Sequence, residues 1–113
     1  MKEIKAIIQP FVLERVCDAL REIEGLPGVT VSQVLGWGKS RAVGARDTVQ
    51  EGGVAFARKT KLELVVPAAL AARVVTAIES AARTGNPGDG KIFVYDVEEV
   101  VRIRTGERGT EAT

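Results

Sequence analysis

Thr60-Lys61-Leu62-Glu63-Leu64-Val65-Val66-Pro67, followed by Leu70, Val74 and Ile78, decides how this chain folds. Leu62, Leu64 and Val66 alternate with Lys61 and Glu63, the two-residue period of a half-buried strand. Past Pro67 the period changes. Leu70, Val74 and Ile78 recur at four-residue steps, with Val75 and Ala82 beside them, which predicts a helix with one buried stripe. Pro67 suits the first helical position, where its missing N–H costs nothing. Downstream, Thr84 to Gly90 is a glycine-rich break, and Ile92 to Val97 reads as a strand. This half is β-α-β.

The upstream half repeats the order. Ile4 to Ile8 is an apolar run closed by Gln9-Pro10, a buried strand. Leu13, Val16, Leu20 and Ile23 carry a helical stripe that Gly25, Pro27 and Gly28 end, and Val29 to Leu35 is a second β-branched strand. Between the halves, Gly36 to Arg58 shows glycines, scattered charges and no clear period. Val100 to Ile103 reads as a short further strand, and the tail from Thr105 as small, polar and mobile. The expected fold class is α+β: a ferredoxin-like βαββαβ arrangement, with two helices on one face of an antiparallel sheet.

Composition narrows the chemistry. The 113 residues make one domain on the usual length prior. Sixteen Lys+Arg against fifteen Asp+Glu leave a net charge of +1, which argues against indiscriminate nucleic-acid binding. With no histidine and Cys17 as the single cysteine, no intramolecular disulfide, His/Cys metal centre or Ser-His-Asp triad can be built from one chain. Cys17 reads as a small core residue. The start lacks a signal-peptide apolar region, and no apolar run approaches the roughly 20 residues of a membrane span. A soluble, cytoplasmic protein that is not itself a membrane protein is the expectation.

Three places could carry chemistry. Thr84-Gly85-Asn86-Pro87-Gly88-Asp89-Gly90-Lys91 can turn several N–H groups toward a phosphate, with Lys91 as a point charge. Its spacing matches a Walker A loop, but Ile92 stands where Ser or Thr should bind magnesium, and the loop runs from helix to strand. A helix cap and tight turn explain it equally well. Arg102 and Arg104, two apart on the expected strand, would share a face and suit phosphate oxygens, or form a solvated edge. The segment 36–58 carries Lys39, Arg41, Arg46 and Arg58, with Lys59 next to it and Trp37, the only tryptophan, at its entry. A segment that long without regular structure is usually functional or disordered. Asp47 and Glu51 form no recognisable catalytic dyad, so no catalytic residue is assigned.

Taken together, the blocks Met1-Lys2-Glu3-Ile4-Lys5-Ala6-Ile7-Ile8-Gln9-Pro10-Phe11, Gly28-Val29-Thr30-Val31, Gly36-Trp37-Gly38, Lys59 to Pro67, Thr84 to Val94 and Val101 to Glu107 resemble the PII nitrogen-regulatory signal-transduction family. The resemblance implies one PII-like domain over residues 1–113, with a T-loop at 36–58, a B-loop at 84–91 and a C-terminal segment at 102–113. It implies a homotrimer binding ATP or ADP in clefts between subunits, with magnesium accompanying ATP. On that basis Gly88, Asp89, Gly90 and Lys91 line the phosphates, and Arg102 and Arg104 reach them from the neighbouring subunit. Thr30, Glu63 and Val65 lie toward adenine, with Gly36, Gly38 and Lys39 along the cleft. Trp37, Arg41, Arg46 and Arg58 belong to the partner-binding loop, whose implied target is a membrane transporter or metabolic enzyme.

The chain departs from the family inside that loop. Members that report nitrogen status carry Arg-Gln where this chain has Lys39-Ser40, and the Gln helps hold magnesium and 2-oxoglutarate. Ser40 is shorter and has no amide carbonyl, so weak or absent 2-oxoglutarate binding is expected, although Lys59 matches the lysine that pairs with that effector. The modified tyrosine of the T-loop has Gly52 in its place. The loop is thus that of a divergent branch, expected to be mobile when free and ordered by ligand or partner. The resemblance implies a regulator, not an enzyme. The readings set against it are a slow ATPase switch and a metal-tolerance trimer of the CutA type.

Overall fold

A computed structural model describes residues 1–37, 48–51, 54–109 and 112–113. Strand β1 (Lys2–Ile8) leads through a 3₁₀ turn at Pro10–Val12 into helix α1 (Leu13–Arg21). Strands β2 (Thr30–Gly36), β3 (Thr48–Glu51) and β4 (Val54–Val66) follow, then helix α2 (Ala68–Ala82) and strand β5 (Gly90–Asp96). The main sheet runs β2-β4-β1-β5, every pairing is antiparallel, and β3 pairs with β4. This is the ferredoxin-like arrangement expected from the doubled unit.

The two periods build the core. Ile4, Ala6 and Ile8 of β1 and Leu62, Leu64 and Val66 of β4 are buried on one sheet face. Val16 and Leu20 of α1, with Ala71, Val74, Ile78 and Ala82 of α2, close over that face. Each large side chain so buried contributes about 1.5–3 kcal/mol. The other face is open in the single chain. On it Lys5 lies over Phe93 and Tyr95, its ammonium 5.6 and 5.0 Å from the ring centroids. The Tyr95 hydroxyl raises the Lys5 pKa above its ordinary value. Among the described residues, no helix is long and apolar enough to cross a membrane.

Several expectations are corrected. The 36–58 segment is not wholly irregular: β3 pairs Thr48 with Ala57 through Glu51 with Val54, and β4 begins at Val54. A two-stranded ribbon is held by backbone bonds and needs no apolar period. The sequence signal was Gly52-Gly53, a hairpin-turn dipeptide. Gly38, Lys39, Ser40, Arg41 and Arg46, and with them the stretch expected to be mobile, lie outside the described residues.

Val100 to Ile103 form no strand. A single bridge joins Val101 to Arg108, and the intervening chain turns back on itself. Gly106 N–H donates to Arg102 O at 2.7 Å and Arg102 N–H to Glu107 O at 2.9 Å, so the tail is tied down through Gly109. Cys17, expected in the core, is only half-buried. Pro67 caps α2 from outside, and Ile23 is buried beyond the end of α1.

Candidate functional site: the glycine loop at the head of β5

Helix α2 ends at Ala82, and Gly85 and Gly88 take the positive φ angles that let the loop turn back to the sheet. Asp89 holds the turn together. Its carboxylate accepts from Thr84 N–H at 2.8 Å, from Gly85 N–H at 2.9 Å and from the Thr84 hydroxyl. The Thr84 hydroxyl is the main cause of a lowered Asp89 pKa, with the two N–H groups and Lys59 adding to it. The carboxylate is thus directed to its own loop. Lys59 Nζ donates to Gly88 O at 2.7 Å. Burial pushes the Lys59 pKa down, and Asp89 partly offsets that. Gly90 then opens β5 opposite Ile8, and Lys91 follows opposite Ile7. Lys91 is exposed.

The sheet gathers most of the remaining candidates. Thr30 pairs with Glu63, and Glu63 in turn with Lys5. Glu63 lies 3.4 Å from Lys61, and Val65 pairs with Glu3. Strand alternation puts Glu63 and Val65 on the open face together with Lys61 and Lys59. Gly36 ends β2 opposite Ala57, and Trp37, 64% exposed, follows it. Arg58 is exposed opposite Leu35.

Arg102 and Arg104 are not brought to this loop along a shared strand face. They sit on the C-terminal turn, where Arg102 meets Glu107 at 3.1 Å and Ile103 is 98% exposed. Glu107 and Thr84 were given no contact role by sequence reasoning. An opposite charge five residues after Arg102, and a hydroxyl at the mouth of a glycine loop, were the available signals.

Asp89→Asn is expected to cost about 1 kcal/mol at neutral pH, because one charged acceptor serves several donors at a partly exposed site. The folded pKa lies below the ordinary 3.8. The contribution is therefore full above that value and lost as pH falls through the folded pKa. Urea unfolding should show the gap between wild type and variant closing on acidification. A gap that stays constant would mean the charge does not hold the loop.

Comparison with known proteins gives the family. The family model described as "Nitrogen regulatory protein P-II" matches residues 1–107. A nitrogen regulatory protein P-II of Rhodospirillum rubrum is 51% identical over 112 residues, covering 99% of both chains. Proteins of that name from Azospirillum brasilense and Synechocystis are each 48% identical with the same coverage. The matches are to a family of signal-transduction proteins in nitrogen regulation. This chain belongs to the P-II family.

Proposed function

We propose that this chain is a regulatory module that binds ATP and ADP in the clefts of a homotrimer and passes the bound state to a partner through the 36–58 segment. The observation that carries the reading is the loop at the head of β5. Glycines form it, its acid is engaged internally by Thr84 and Gly85, and exposed Lys91 follows directly. Such a loop offers backbone donors and a cation to a phosphate with no opposing carboxylate turned toward it. The resemblance adds Thr30, Glu63 and Val65 toward adenine. It adds Gly36, Gly38 and Lys39 along the cleft, and Arg102 and Arg104 from a neighbouring subunit. Magnesium would be held mainly by the phosphates of ATP.

The open sheet face supports assembly. Phe93, Tyr95 and Val65 lie on it among the Lys5, Lys61 and Glu63 charges, a mixture suited to another copy of the chain. The partner read by the 36–58 segment is a membrane transporter or a metabolic enzyme.

Lys91→Ala should weaken ATP by about 1.5–3 kcal/mol, the range for a charge-assisted contact. ATP and ADP should bind more tightly than GTP. Calorimetry on both proteins checks this, and unchanged ATP affinity in the variant would remove the phosphate reading.

A further inference from the structure

We propose that Lys59 is a positioning residue for the 84–90 loop: from β4 its ammonium holds the Gly88 carbonyl and ties the root of the 36–58 segment to the phosphate loop. The inference deepens the nucleotide reading and rests on it. The 2.7 Å bond joins residues 29 apart in sequence and is half-buried. The lysine stem has a defined course. A Cβ placed on Gly36 would lie 3.5 Å from Lys59 Cγ, so the stem passes the end of β2 on its way to the loop.

Planarity turns this bond into orientation. In a trans peptide the carbonyl and the following N–H point in opposite directions. Holding Gly88 O toward Lys59 therefore directs the Asp89 N–H away from Lys59. Asp89's own carboxylate grips Thr84 and Gly85 at the start of the turn. The loop is thus held at two points before any ligand arrives, and little ordering entropy remains to be lost on binding a nucleotide.

The anchor is also a lever. Lys59 stands opposite Val34 at the last turns of the β2–β4 pairing, just inside Arg58 and Ala57, where β4 begins to pair with β3. A partner that shifts the outer end of β4 draws the ammonium from Gly88. By reciprocity, a nucleotide that holds the loop steadies the root of β4.

The test uses the full chain as purified and stripped of nucleotide, as wild type, Lys59→Met and Lys59→Arg. Amide hydrogen exchange is read at Thr84 and Gly85, followed by ADP and adenosine titrations. Lys59→Met should speed exchange at those amides by about fivefold, the scale of one partly exposed charged hydrogen bond. Lys59→Arg, which can still donate to a carbonyl, should restore most of the protection. ADP should bind about fivefold more weakly to the Met variant while adenosine, lacking phosphates, is unchanged. Exchange unaltered in a folded Lys59→Met protein overturns the proposal, as does a loss that Arg cannot rescue. Faster exchange with unchanged ADP affinity keeps the anchor and instead overturns the phosphate reading of the loop.

Discussion

Alanine at position 90 is expected to cost about 3 kcal/mol or more and to lower the thermal midpoint by roughly 15 °C, among the larger effects a single substitution produces. Gly90 begins β5 at a φ of +104° and pairs with Ile8 across the sheet. A Cβ there would meet Ile7 O at 1.7 Å and Ile7 C at 2.8 Å. Both atoms are backbone of β1, which is flanked by β4 and β5, so no rotamer change relieves the overlap. Either the strand pair opens at its head or the loop moves.

Gly85→Ala separates the two parts of this cost. Gly85 also has a positive φ, +88°, but nothing lies within 4 Å of its Cβ position. Only the left-handed backbone penalty of about 1–2 kcal/mol applies there. Thermal unfolding of both variants should place Gly90→Ala well below Gly85→Ala. Equal destabilisation would show that close approach to β1 contributes nothing.

The same position illustrates what sequence could and could not reveal. The strands and helices of the core were legible because burial imposes a period: Leu62, Leu64 and Val66 at two, Val74 and Ile78 at four. Backbone-held features lack that signature. The β3–β4 ribbon pairs main chain with main chain, so Thr48–Glu51 read as loop. Arg102 and Arg104 looked like a strand because Val100, Val101 and Ile103 are β-formers. Gly106, with its φ of +73°, and the Thr105 hydroxyl accepting from Glu107 N–H make a turn instead.

The glycine loop was recognisable as a candidate from Gly85, Gly88 and Gly90. That Asp89 would grip Thr84 and Gly85, or that Lys59 would cross from β4 to Gly88, depends on contacts between elements that no local pattern encodes. Tyr95 shows the same limit in reverse. Its strand is periodic with β1, yet alternation puts the ring on the face that a single chain leaves open.

The largest functional effect is expected from removing the two halves of the proposed site together. Lys91→Ala and Arg102→Ala should each weaken ATP by about 10- to 100-fold, the equivalent of one charge-assisted contact apiece. Lys91 lies near the head of β5, and Arg102 on the turn that comes after its far end. Lys91 pairs with Ile7 near one end of β1, while Asp96 pairs with Lys2 at the other. Five residue steps of strand span about 17 Å, and Arg102 comes only after that far end. Within one chain the strand carries them apart, which favours one phosphate group being held by Lys91 of one copy and Arg102 of another.

Mixed trimers make that distinction measurable. When the Lys91→Ala and Arg102→Ala chains are unfolded and reassembled together, about one cleft in four should pair an intact lysine with an intact arginine. Calorimetry should then find a minor class of sites with wild-type ATP affinity that neither parent shows. A chain carrying both substitutions, mixed with either single variant, should yield no such sites, because every chain then lacks the same one of the two residues. If the two single variants reassemble into trimers without any tight class, the site does not draw Lys91 and Arg102 from different subunits. The arginine at the C-terminal turn would then be left to its pairing with Glu107.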